Sequence, residues 1–196
     1  VVPIALNHAA RQNGGMKLRT FIKKFSTDEA CRAHLESVRW PEGPICPRCG
    51  TVAEATTVAN KPGYWQCRPC GKQFSVTAGT PMHGTHLPLS VWYLAMYLIL
   101  ASSKGISAVK LGEQLGVQYR TAWHLGHRIR AMLASGEKPI LSGLGVWHQV
   151  SPKHLHRYAS EHEFRWNSRD AEVPQRIARC LLGTAGRLRL KDLLAK

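Results

Sequence analysis

The stretch that most constrains this chain is "CPRCG" at residues 46–50, repeated in outline as "CRPCG" at residues 67–71. In each, two residues separate a pair of cysteines, and 17 residues lie between Cys49 and Cys67. A two-residue gap lets a tight turn aim both thiolates at one point. The glycine after each pair admits the left-handed backbone that closes such a turn. Two of these turns, joined by a hairpin, form a tetrahedral shell of four thiolates, the chemistry of a zinc site. Cys46, Cys49, Cys67 and Cys70 are therefore the expected ligands of one zinc. The role is structural, because four cysteines leave no open coordination position. Two disulfides or a redox pair are the competing readings. A cytoplasmic chain disfavours the first, and a redox pair normally occurs once, beside a β–α–β pattern. Residues 55–58, 64–66 and 73–76 are the expected ribbon strands, with Asn60, Lys61, Pro62 and Gly63 turning the hairpin. Cys31 and Cys180 read as ordinary buried thiols.

A zinc module accounts for only part of 196 residues, a length that allows one or two domains and a real core. Lys and Arg number 27 against 12 Asp and Glu, a net charge of +15, and the excess is spread along the whole chain. Such a balance fits a polyanion partner, with a solvated basic surface as the plain alternative. Residues 1–15 lack the charged start and apolar centre of a signal peptide. Met16 follows Asn13, Gly14 and Gly15 and could be a natural start, so residues 1–15 are expected to be a disordered leader. The longest apolar run, residues 91–101, is far short of the ~20 residues needed to span a bilayer. The expectation is a cytoplasmic protein with no membrane partner.

Helix signals place the remaining elements. Ser26 followed by Glu29 predicts a capping box that opens a helix running to Val38, within an N-terminal segment of residues 16–45. The ribbon then occupies residues 46–80. A strongly apolar helix is expected over residues 91–101, a second over residues 108–115 with Ser107 as its cap, and a third over residues 119–134. The turn between the last two contains Gly116. A short helix, a glycine turn and a longer helix make the layout of a DNA-binding helix-turn-helix, here residues 87–136. A plain helical bundle is the alternative. Ala122, Leu125, Ile129 and Met132 recur at helical spacing and are predicted to face inward. Gln118, Tyr119, Arg120 and Thr121 crowd the end of the helix that would meet base edges. His124 and His127 share a stripe with Arg120, and Arg128 and Arg130 suit phosphates. Trp123 reads as a packed core residue. The expected partner is double-stranded DNA. Further helices are predicted from Ser151 and Pro152 onward, over residues 175–182 and over residues 188–194. The fold class is α-rich, with a small zinc-ribbon β-hairpin module, a three-helix DNA-binding unit and a C-terminal helical block, residues 146–196.

The segments "RWPEGPICPRCG", "YWQCRPCGKQFSVTAGT" and "LPLSVWYLAMYLILASSKGISAVKLGEQLGVQYRTAWHLGHRIRAML" together resemble the N-terminal half of bacterial insertion-sequence transposases. In that family a zinc ribbon and a helix-turn-helix precede an RNase-H-like DDE catalytic core. "VWHQVSPKHLHRYASEHEFRWNSR" resembles the family's C-terminal end, with His162 where the resemblance implies an apolar residue. The resemblance implies that a strand bearing the first catalytic aspartate should follow the helix-turn-helix. Instead the chain passes from "ILSG" to the C-terminal block, with a seam near residues 141–145. No Asp or Glu lies between Glu137 and Glu161.

The resemblance thus implies an internally deleted transposase that keeps DNA binding and lacks the catalytic core. DDE chemistry needs about three clustered carboxylate-type ligands to hold two Mg2+ ions. Mg2+ is not expected, and no catalytic residue is assigned. Glu161, Glu163, Asp170 and Glu172 are the nearest acids, and Glu161 and Glu163 are too close in sequence to share a helix face. The implied target is an element's terminal inverted repeats. The C-terminal helices, stripped of their own domain, would expose Leu181, Leu182, Leu190 and Leu193, which favours self-association or association with a full-length transposase. The alternatives are a zinc-ribbon transcriptional regulator, a transposase active only with a partner that supplies the core, and a degenerate reading frame.

Overall fold

The computed structural model describes residues 16–102, 105–133 and 152–183. Seven α-helices and three short strands follow one another along these residues. The chain starts with α1 (Leu18–Lys24) and α2 (Asp28–Arg39). The ribbon strands β1 (Ala55–Thr57), β2 (Tyr64–Cys67) and β3 (Gln73–Ser75) form an antiparallel sheet in sequence order. Trp65 pairs with Thr57 on one side and with Phe74 on the other. The three strands expected of the ribbon thus form one sheet.

The cap of α2 differs from the sequence expectation. Thr27, not Ser26, is the N-cap, and its side chain accepts the Ala30 N–H at 3.2 Å. Asp28 is the first helical residue, so Glu29 stands one place too early to complete a capping box. The Asp28 carboxylate has a distant task. Its Oδ1 accepts both the N–H and the Oγ–H of Ser90, each at 3.1 Å. It serves there as a long-range cap for α3 (Leu89–Ala101), whose own N-cap position is Pro88 and offers no side-chain acceptor.

The α3 helix is the hub. Trp92, Tyr93, Ala95, Met96, Ile99 and Leu100 are essentially sealed from solvent, and α2, α4, α5 and α7 all pack on it. A helix apolar on nearly every side needs such neighbours. Each large aliphatic side chain buried here is worth about 1.5–3 kcal/mol. Next come α4 (Ala108–Leu115) and α5 (Tyr119–Met132). Ser107 caps α4 as expected, accepting the Lys110 N–H at 3.2 Å. Gly116 ends it in the left-handed region, φ +65° and ψ +31°. Gly112 allows the close approach that follows, since a Cβ there would lie 3.0 Å from the Val117 carbonyl and 3.4 Å from Ala122 Cβ. Ala122, Leu125, Ile129 and Met132 form the inner stripe of α5, each at most 2% exposed.

A 3-10 turn at Pro152–His154 leads into α6 (Leu155–Asn167), and α7 (Val173–Leu182) follows. Glu172 and Gln175 form a reciprocal capping box at the start of α7. Ile177, Cys180 and Leu181 of α7 belong to the same hydrophobic core as α2 and α3. The expectation of a stranded C-terminal block is corrected for the described residues. Leu181 is buried, because α3 needs a cover on that side, whereas Leu182 stays 49% exposed. Arg176 ties the junction by donating to the carbonyls of Leu100, Ser168 and Ala171. The leader, the seam, the Ser151 cap, Leu190, Leu193 and the predicted helix at 188–194 lie outside the described residues.

Candidate functional site

The two cysteine knuckles adopt the same turn twice. Gly50 N–H donates to Cys46 O and Gly71 N–H to Cys67 O, both at 2.9 Å. Cys46 N–H donates to Thr51 O and Cys67 N–H to Lys72 O, both at 3.0 Å. Gly50 and Gly71 have φ of +75° and +66°, the left-handed conformation that the spacing predicted. Cys46 Sγ lies 3.6 Å from Cys70 Sγ, and Cys49 Sγ lies 3.5 Å from Cys67 Sγ. All four sulfurs fall within 4.8 Å of one another. A tetrahedral zinc with Zn–S near ~2.3 Å requires sulfurs roughly 3.8 Å apart, so the cluster fits a structural zinc ion. The donors are all soft thiolates, the set that selects zinc over magnesium or calcium.

Charge makes the same point. Thr51, through its hydroxyl and its backbone, pulls the Cys49 thiol down to about 6. At Cys67 the Cys70 backbone also pulls down, but burial and the neighbouring thiols outweigh it and push the thiol up to about 12. Thiolates this close repel unless a cation lies among them. Cys31 and Cys180 are fully buried and pushed up to about 12, chiefly by desolvation, as expected of inert thiols.

The ribbon and α2 form one unit, not two segments. Trp65 Nε1–H donates to Glu36 Oε1 at 3.1 Å. Trp40 packs edge-on against Trp65 and Phe74, with centroids 6.4 and 5.7 Å away. Arg39 donates to the Val76 carbonyl.

The second set of predicted residues lies on α5. Gln118, Tyr119 and Arg120 are exposed at its N-terminal end, and Thr121, His124 and Arg128 are half-buried beyond them. Burial lowers the His124 pKa, and the Arg128 and Arg120 charges lower it further. His127 and Arg130 do not join this surface, which corrects the expectation for both. They are 1% and 2% exposed, because α6 packs over the C-terminal half of α5. Arg130 Nε meets Glu161 Oε2 at 2.5 Å, its Nη2 donates to Ile106 O at 3.0 Å, and its guanidinium lies 4.3 Å over the Tyr158 ring. Glu161 Oε1 also faces Arg165 Nη2 at 3.4 Å. His127 sits among the rings of Trp123, His154 and Tyr158. Burial first, then Arg130, His154, Arg157 and His124, push its pKa down to about 3. It is neutral, and its Nδ1 accepts from Arg157 Nη1 at 3.5 Å.

Sequence reasoning gave no structural role to Asp28 or Glu161, and it gave the basic and histidine residues around His154 only a capacity to bind phosphate. The run "PKHLHR" at residues 152–157 was the available signal for the last of these. Among the described residues, the four cysteines are the one group of metal-ligating side chains close enough to share an ion. No helix there is long and apolar enough to cross a membrane.

Residues 26–73 match the family model of the transposase zinc-ribbon domain. The matched region begins just before α2 and ends at β3, the unit that the packing defines. No curated protein and no solved structure matches the chain.

Proposed function

We propose that the chain is a transposase-derived, sequence-specific DNA-binding protein with a structural zinc and no DDE catalytic core. In this reading α4, the Gly116 turn and α5 are a helix-turn-helix, and α5 is its recognition helix. The observation that carries it is the exposed N-terminal end of α5 in a chain that also carries a transposase zinc ribbon. Gln118, Tyr119 and Arg120 stand free there at the end of the helix that reaches base edges in such units. Arg120 is the residue best suited to read a base, through bidentate donation to guanine. Thr121, His124 and Arg128 lie along the flank that approaches phosphates. The target is the terminal inverted repeats of an element.

The acidic residues support the non-catalytic half of the proposal. Glu161 is engaged by two arginines and Glu172 caps a helix. Neither is available to bridge two metal ions in the manner of a DDE site. The test is selection from a pool of random duplexes by the full, zinc-loaded chain, followed by incubation of the enriched duplexes with Mg2+ or Mn2+. Enrichment of a defined motif without strand cleavage is expected. Failure to enrich any motif would overturn specific recognition. Nicking abolished by Glu163→Gln, Asp170→Asn or Glu172→Gln in protein that stays folded would overturn the absence of catalysis.

A further inference from the structure

The ribbon sheet packs on α2 through one face. Trp65 and Phe74 meet Trp40 on that side. Side chains alternate along a strand, so Tyr64, Gln66 and Gln73 belong to the opposite face. In the register, Gln66 stands between Thr56 of β1 and Gln73 of β3. These three residues and Tyr64 are exposed. The ladder continues one residue past β2, since Arg68 N–H donates to Glu54 O at 2.9 Å. The same alternation puts Arg68, also exposed, on the outer face two positions beyond Gln66. At the other end, the Lys61 ammonium lies 5.9 Å over the Tyr64 ring. We infer that this outer face, with Thr56, Gln66 and Gln73 in a row across three strands, is a second DNA-reading surface that enters the major groove and recognises adenine through the two glutamine amides.

Charge, chemistry and size agree. Residues 46–76 carry Arg48, Lys61, Arg68 and Lys72 against a single acid, Glu54. An antiparallel sheet needs only a polar outer face. Here neutral amides occupy the middle and a cation stands at each end, the order in which base edges lie between phosphates. A carboxamide donates and accepts side by side, which complements N6 and N7 of adenine. Cross-strand neighbours have Cβ atoms about 5 Å apart, so Gln66 and Gln73 can reach the same base pair or adjacent ones. Three strands at about 4.8 Å spacing make a sheet about 10 Å across, against a major groove about 12 Å wide. Tyr64, Gln66 and Arg68 recur every ~7 Å along β2, close to two base steps of ~3.4 Å. The deep, narrow major groove of duplex RNA would not admit the sheet. A single strand calls for a series of stacking aromatics, whereas Tyr64 is the one aromatic on this face of the three strands.

The inference rests on the proposed reading of the chain as a sequence-specific DNA-binding protein, and the test separates the two. The full, zinc-loaded chain is titrated with the duplex that it selects from a random pool and with a random duplex. Gln66→Ala and Gln73→Ala should each lose roughly 5- to 150-fold on the selected duplex and much less on the random one. Thr57→Ala should bind like wild type, because exposed Thr57 pairs with Trp65 and so belongs to the opposite face of the same ribbon. Unchanged zinc content would confirm an intact ribbon in all three variants. Scanning the selected duplex with 7-deazaadenine, which lacks the N7 acceptor, should find a position that weakens wild type and leaves one of the glutamine variants unaffected. If both glutamine variants bind like Thr57→Ala while Arg120→Ala loses affinity for the selected duplex, the sheet face is overturned and the α5 reading stands. Equal losses on both duplexes, or tighter binding of wild type to the single strand than to the duplex, would also overturn the sheet face. If wild type selects no duplex, both readings are overturned.

Discussion

The zinc ribbon and the C-terminal helices are held together by opposite means. The ribbon has strands of three or four residues and contributes a small core of Phe74, Val76, Cys46 and Cys67. Its ordering comes from four sulfurs brought within 4.8 Å. Among the described residues, the C-terminal helices contain no metal-ligating cluster. They are seated by an apolar stripe on α7 and by two arginines, buried Arg130 on Glu161 and half-buried Arg176 on the carbonyls of Leu100 and Ser168. One region depends on a ligand that neutralises crowded charge. The other depends on long-range pairs whose members are expensive to bury alone.

The largest expected effect is loss of the ribbon. Cys67→Ser, or chelation of the metal, should release residues 46–76 from their fold, because the sulfurs converge only around a cation. Zinc content should fall, and Trp65 fluorescence should shift toward that of an exposed indole. The helices α3 to α7 should remain folded, which protection of their amides from exchange would show. A ribbon that stays ordered without metal would break the contrast.

The next effect falls on the other region. Glu161→Gln leaves Arg130 buried without its carboxylate, at a cost of about 3–5 kcal/mol in urea unfolding, with zinc content unchanged. Arg130→Met combined with Glu161→Met should recover most of that loss, since an apolar pair of similar volume carries no desolvation penalty. A single substitution costing less than about 1 kcal/mol would show that α6 is not seated through this pair.

Acid should act on the same interface more gradually. His127 is held down to about 3, from its usual 6.5, by burial and surrounding cations. The unfolded chain therefore takes up the proton first as pH falls. Stability is lost between about pH 6.5 and 3, by at most about 1.4 kcal/mol per pH unit from this residue. His34, His124, His154 and His156 shift in the same direction, chiefly through burial, and add to the trend. His127→Gln should flatten the curve over that window. An unchanged curve would mean that His127 is accessible to solvent.

The same contrast explains what was legible in the sequence. The knuckles, the Ser107 cap, the Gly116 turn and the inner stripe of α5 all depend on neighbours within about a dozen residues, and the sequence placed them correctly. The Asp28 contact with Ser90 spans 62 positions and the Arg130 contact with Glu161 spans 31, and neither leaves a local pattern. His127 and Arg130 misled for that reason. A basic residue at an outward helical position reads as exposed until a partner helix covers it. The C-terminal block misled in the same way. Leu181, expected to be exposed, covers α3, whereas Leu182 is exposed as expected.

The smallest effect in energy bears most directly on what the protein does. It is the affinity of wild type and of Arg120→Ala for a selected duplex and for a random one, measured in parallel at one salt concentration. If α5 reads bases through Arg120, the variant should lose about 1–3 kcal/mol on the selected duplex, roughly 5- to 150-fold, and much less on the random one. Equal losses on both would reduce Arg120 to a phosphate contact, and no preference in wild type would contradict sequence-specific recognition by α5.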